Sequence, residues 1–171
     1  MEGWLAGIVA IIGGTDMYLN DCQVECFAYS DAPGRFHFQL GATEHNHNWI
    51  SQEILLGYDL PRKYGPFQPI VSASLTGTGD AWVGAGLKWT SEHRFDFPIY
   101  FEGYAMPGLY SAGDGPDIGG FIQFRGSIGL GYEFDNGIRA VVGYDHRSNA
   151  GIWEENSGLE TLHLRISVPM E

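Results

Sequence analysis

The feature that most constrains this chain is a strict alternation running from Phe121 to Phe134. Even positions read Ile122, Phe124, Gly126, Ile128, Leu130, Tyr132 and Phe134, while the odd positions between them read Gln123, Arg125, Ser127, Gly129, Gly131 and Glu133. Successive side chains of a strand point to opposite faces, so one face here is oily and the other small or charged. The run is longer than an ordinary globular strand of about five or six residues. Asp135-Asn136-Gly137 follows it, and Asn-Gly is the strongest short hairpin signal. The split then repeats, with Ile138, Ala140, Val142 and Tyr144 set against Arg139, Val141, Gly143 and Asp145. A last segment sets Leu162, Leu164, Ile166 and Val168 against Thr161, His163, Arg165 and Ser167.

Noisier strands can be drawn around 36–42, 50–60, 67–77, 81–91 and 97–110. Together they predict an all-β fold: an eight-stranded antiparallel up-and-down transmembrane β-barrel over residues 35–171. Eight strands is the smallest standard membrane barrel, and its interior is filled by side chains. Arg125, Glu133, Arg139 and Arg165 are then expected to pair inside. A lipocalin-like calyx would invert the arrangement, with an apolar interior and a polar exterior. Composition agrees with strands rather than helices: 25 glycines and 14% aromatic residues, with turn formers between short alternating segments. No run of about eighteen apolar residues is present, so no helix-spanning segment is expected. The mean hydropathy of -0.13 does not argue against a barrel, because lipid-facing and lumen-facing residues cancel in an average.

Residues 1–34 form an N-terminal extension whose structure the sequence leaves open. Leu5 to Ile12 is a short apolar run, but Glu2 occupies the place where a secretory signal carries a basic residue. Either an export signal lies outside these residues, or the segment packs across one barrel end. Cys22 and Cys26 lie four apart, a spacing of neither the redox dithiol motif nor half a zinc site. They are read as two free thiols or one local disulfide. The formal net charge of -12, with 9 Lys+Arg against 21 Asp+Glu, excludes nucleic acid as a partner, since phosphates need clustered basic residues.

Chemistry concentrates at one end of the oily face. Continuing the even register past Tyr144 reaches His146 and Ser148, and the even face of the last strand begins at Glu160. Residues two apart on a strand point the same way, separated by roughly 6.5–7 Å. Antiparallel pairing places Glu160 across from His146 if even faces even. Ser148 is then the candidate nucleophile, His146 the general base, and Glu160 the group that orients and charges the imidazole. Turn formation alone accounts for Asp145, Ser148 and Asn149, but polar residues on a lipid face cost roughly 2–4 kcal/mol at midplane. Three in one cluster ask for a reason.

His146-Arg147-Ser148-Asn149-Ala150-Gly151, followed by Asn156-Ser157-Gly158-Leu159-Glu160, resembles the active-site hairpin of the lipid A 3-O-deacylases (the PagL family). Fainter similarity extends back to about Phe36 and leaves out residues 1–34. The resemblance implies an outer-membrane serine esterase with no cofactor and no metal. It would hydrolyse the ester joining a hydroxy-acyl chain to the 3-position of lipid A, so its partners would be lipopolysaccharide and outer-membrane lipid. It also implies Asn156 as an oxyanion-hole residue, with the backbone N–H groups of Ala150 and Gly151 as helpers. The sequence is silent on oligomeric state and leaves a homodimer open.

Other clusters carry less. Glu44-His45-Asn46-His47-Asn48 lacks the further ligands a metal site needs and reads as a polar loop before interfacial Trp49. Gly113 to Gly119 lacks the ligand run of a calcium loop. Trp153 is expected at the headgroup level or beside an acyl-chain groove. Two rival functions stand beside the esterase: a non-enzymatic structural or adhesive barrel, and a soluble lipid-binding barrel.

Overall fold

A computed structural model describes residues 4–92 and 97–170. After a helix, α1 (Trp4–Asn20), come β1 (Tyr29–Asp31), β2 (Gly34–His45), β3 (Asn48–Asp59), β4 (Arg62–Tyr64) and β5 (Phe67–Thr76). The chain continues through β6 (Ala81–Thr90), β7 (Ile99–Ser111), β8 (Ile122–Glu133), β9 (Arg139–Ser148) and β10 (Leu159–Met170). Eight long strands close on themselves: the order β5-β3-β2-β10-β9-β8-β7-β6 is completed by pairing of β5 with β6. Every pairing in the ring is antiparallel. The short β1 and β4 pair with each other, and β4 meets β5 at Tyr64 and Phe67.

The faces settle the choice between barrel and calyx. Outward positions such as Phe38, Leu40, Ile54, Leu56, Leu130, Val142 and Leu164 are exposed. Inward positions such as Gln39, Glu53, Arg125, Asp145 and Arg165 are buried. An apolar exterior around a polar, filled interior is the arrangement of a membrane barrel. A soluble calyx needs the reverse, so that reading falls.

A polar interior is tolerable because its charges are paired. Arg125 donates to both carboxylate oxygens of Glu53, at 3.1 and 2.5 Å, and to Asp145 at 2.8 Å. Arg147 also pairs with Glu53, Arg165 with Glu102, Lys88 with Asp59, and Arg139 with Glu133 and Glu92. The expectation of buried partners inside the barrel holds for Arg125, Arg139 and Arg165, whereas Glu133 pairs with Arg139 and Arg35 with its side chain 38% exposed. Arg125 and Arg147 also lie over the Trp82 ring, at 5.5 and 5.9 Å.

The extension holds more structure than its sequence announces. The buried stripe of α1 is Leu5, Val9, Gly13 and Asp16, residues three and four apart that share one helix face. That stripe lies on the outside wall of the barrel. A Cβ at Gly126 of β8 would come 2.9 Å from Ala6 N, and one at Gly103 of β7 would come 2.6 Å from Val9 Cγ2. Farther along, Trp89 Nε1 of β6 donates to Asp16 Oδ2 at 2.6 Å. Beyond the helix, Cys22 and Cys26 form a disulfide. No described helix is long and apolar enough to cross a membrane on its own.

Leu164 sits mid-strand on the exposed outer face. Leu164→Arg is expected to lower the unfolding free energy in lipid vesicles by roughly 2–4 kcal/mol, read from urea titrations. Glu53→Ala takes from buried Arg147 its carboxylate partner and leaves Arg125 with Asp145 as carboxylate partner, and is expected to cost about 3–5 kcal/mol in the same titration.

Candidate active site

The site begins with β9, whose alternate residues face different environments. Asp145 and Arg147 point inward and are tied to Arg125 and Glu53. A one-residue slip would carry both charges to the lipid face, so this pairing fixes the strand's facing. His146 and Ser148, between and beyond them, are thereby committed to the outside.

The ladder pairs Glu160 of β10 with His146 of β9, the cross-strand position the register predicts. His146 Nδ1 lies 3.1 Å from Glu160 Oε1. The other ring nitrogen, Nε2, is buried and has no hydrogen-bond partner among the described residues. Gly158, at φ +73°, backs onto the imidazole: a Cβ there would come 2.7 Å from His146 Cε1. Ser148 lines the same cavity as His146, of about 150 Å³, with Phe124, Ala150, Leu5 and Ala6 completing most of the wall. No Ser148–His146 hydrogen bond is formed.

A second, more polar cavity of about 90 Å³ lies on the other side of Glu160 and is lined by Glu44, Asn46, His47, Tyr144 and Ser157 as well. His45, read from sequence as part of a polar loop, faces Ser157 with Nε2 and Oγ 3.0 Å apart. No cluster of three or more metal-ligating side chains occurs among the described residues.

The loop from 149 to 158 is organised by Asn149, which the sequence reads as a turn former within the hairpin that carries the resemblance. Asn149 is fully buried, and its Nδ2 donates to the carbonyls of Gly119 at 2.9 Å and Glu155 at 2.5 Å. Its backbone N–H donates to Asn156 Oδ1 at 3.0 Å, which holds the Asn156 amide by its oxygen. Its own Oδ1 accepts from the Gly151 N–H at 2.8 Å. That N–H, expected to help an oxyanion, is therefore already engaged. Ala150 adopts φ +55°, in the left-handed region that costs a residue with a Cβ about 1–2 kcal/mol. Its backbone is thus held in a special conformation at the cavity wall. Trp153 packs on Phe121, ring centres 5.7 Å apart.

The sequence profile of the lipid A 3-O-deacylase (PagL) family matches residues 34–169. The chain belongs to this family. The deacylase profile takes in the whole ring of eight strands and both arms of the site hairpin, and it stops short of α1. Among curated relatives, the lipid A deacylase PagL of Pseudomonas aeruginosa is 30% identical over 115 residues, covering 56% of this chain and 66% of that protein. The Bordetella bronchiseptica PagL is 33% identical over 91 residues, covering 50% of this chain and 49% of that protein. The chain thus spans less than two thirds of the length of each. Of solved structures, the outer membrane enzyme PagL superposes with a TM-score of 0.64 at 21% identity, over 80% of this chain and 99% of that one. Neisserial surface protein A gives 0.55 at 12% identity, over 84% and 99%. These two likenesses establish the barrel fold.

Gly158→Ala adds a Cβ against the imidazole at a backbone angle that disfavours one. It is expected to leave the barrel heat-modifiable on gels and, if His146 serves as a base, to cut ester hydrolysis by about tenfold or more, the scale of loss when a reacting group is misplaced by an ångström. Hydrolysis rates on a chromogenic ester in detergent would check it.

Proposed function

We propose that this protein is an outer-membrane serine esterase that removes the 3-O-linked acyl chain of lipid A, with Ser148 as nucleophile, His146 as general base and Glu160 as its orienting carboxylate. The observation that carries the reading is the His146 Nδ1–Glu160 Oε1 contact at 3.1 Å on the outer face of a membrane barrel, with Ser148 in the same cavity as the imidazole. Family membership supports the substrate class, and the apolar exterior supports the location.

The chemistry follows from the donor pattern. A carboxylate at Nδ1 holds the proton on that nitrogen and leaves the Nε2 lone pair to act as base. Rotation of the Ser148 hydroxyl to Nε2 lets Oγ lose its proton as it attacks the ester carbonyl carbon. The carbonyl oxygen takes the negative charge, and the donors for it are the Asn156 amide Nδ2 and the Ala150 N–H. Collapse breaks the bond to the sugar oxygen, which takes the proton from His146. Water, deprotonated by the same imidazole, then releases the hydroxy-acid and restores the serine. No metal or cofactor takes part in this sequence.

Ser148→Ala is expected to abolish acyl loss while leaving the barrel folded. If mass spectra of lipid A from cells expressing that variant still show the loss, Ser148 is not the nucleophile. Glu160→Ala should reduce the rate less than Ser148→Ala does, because an orienting group contributes less than the nucleophile in comparable triads. A structural or adhesive barrel would produce no change in lipid A with any of these chains and no labelling by a serine-reactive probe.

A further inference from the structure

We infer that α1 is a lid, docked on the outer wall of the barrel over the pocket of Ser148 and His146, and that it must move aside for a lipid acyl chain to enter. The inference rests on the esterase reading for its functional meaning, and on geometry alone for the docking.

Three observations converge. First, a pocket on the outward face of a membrane barrel would ordinarily open to lipid, yet Ser148 is only 2% exposed and His146 5%. Leu5 and Ala6 of α1 supply part of the wall that closes it, and Leu5 itself is 1% exposed. The space left beside the helix is small, about 150 Å³, the share of roughly five water molecules in the liquid. With Leu5 and Ala6 in its wall, the helix lies in the path of a long acyl chain that would run along the barrel from this space.

Second, the wall is shaped to receive this helix. Gly126 and Gly103 are outward positions where neighbouring strand residues carry large side chains, such as Ile128, Phe101 and Leu109. Their missing Cβ atoms leave the space that Ala6 and Val9 fill. Gly13 of the helix likewise sits against Phe67 and Trp89 of the wall.

Third, the docking is of a kind that lipid can contest. Within a bilayer an apolar helix gains no hydrophobic burial by leaving lipid for an apolar wall, and close packing of small residues is the main attraction. The Trp89 Nε1–Asp16 Oδ2 bond holds the far end of α1, and the Cys22–Cys26 disulfide and the β1–β4 pairing follow it. Among the described residues, no side-chain hydrogen bond holds the end over the pocket, where Leu5, Ala6 and Val9 pack on the wall. An acyl chain seeking the same wall competes with that end and leaves the anchored end in place. The outer side of α1, with Ile11 and Tyr18 about 70% exposed, already meets lipid.

Two measurements test the lid, and they separate its failure from that of the esterase reading. Access is measured without catalysis, on Ser148→Cys protein in lipid micelles, by the rate of alkylation with a long-chain N-alkyl maleimide. Adding Gly103→Leu places on the wall the side chain that Val9 excludes, and is expected to speed alkylation by about tenfold, the apparent gain from raising the open fraction. Equal rates would overturn the lid.

The second measurement locks it. A Cβ at Gly103 lies 3.6 Å from Val9 Cβ, within the roughly 3.5–4.5 Å of a disulfide. Oxidised Val9→Cys/Gly103→Cys protein is expected to lose lipopolysaccharide deacylation by about tenfold or more and to recover it on reduction. Wild-type protein carried through the same treatments controls for Cys22–Cys26. Failure of the engineered pair to cross-link, or full activity of the cross-linked form, sinks the lid. If alkylation responds as expected while wild-type protein leaves lipopolysaccharide intact, the lid stands and the deacylase reading falls.

Discussion

Everything outward in this molecule depends on a charge cluster held inward. Glu53, Arg125, Asp145 and Arg147 sit in the barrel with at most 1% of any residue exposed, and each has a partner of opposite charge. Such a cluster is costly to assemble and far more costly to break by halves. Its structural yield is facing rather than raw stability. Two of its members, Asp145 and Arg147, alternate with His146 and Ser148 along β9. Any register that exposed the imidazole and hydroxyl to the lumen would drive a carboxylate and a guanidinium into lipid. The site therefore faces outward because its neighbours cannot.

How much of this was legible beforehand follows from what each interaction leaves in the sequence. Period two over 121–134 gives strands, their faces and, through the tight turns, their antiparallel neighbours. That sufficed to set Glu160 opposite His146, because β9 and β10 are consecutive and register propagates along a ladder. The partner of Arg147 was not legible, since Glu53 lies 94 residues away and alternation names a face, never a neighbour across a closed lumen. Asn149 looked like a turn former. Its amide instead ties backbone groups of two loops, and only the fold brings Gly119 and Glu155 to it. The Gly151 N–H was assigned a free role by resemblance, yet the same asparagine takes it.

The helix escaped for a different reason. A helix flanked by water shows an apolar stripe against polar residues, and that contrast is the readable signal. α1 has a wall of apolar side chains on one side and lipid-facing Ile11, Ile12, Tyr18 and Leu19 on the other, so its sequence is oily all round. The buried stripe Leu5, Val9, Gly13, Asp16 is marked by small residues and one carboxylate rather than by hydrophobicity. The matching glycines on the wall read, in sequence, as gaps in an otherwise oily strand face.

Two cavities, one lined by His146 and the other by its partner Glu160, give the site its polarity. Toward α1 the space is bounded by Leu5, Phe124 and Ala150, a lining suited to hydrocarbon. Toward the turn of β2 and β3 it is bounded by Glu44, Asn46, His47 and Ser157, a lining suited to sugar hydroxyls and water. An ester linking an acyl chain to a sugar has one half for each. Hydrolysis also needs water for its second half-reaction and a dry, preorganised setting for its charged transition state. The proposed triad would meet both needs: His146 lines the apolar space, while Glu160, 3.1 Å from its Nδ1, lines the polar one. A movable apolar wall on the dry side would then let the acyl chain in without opening the wet side to lipid.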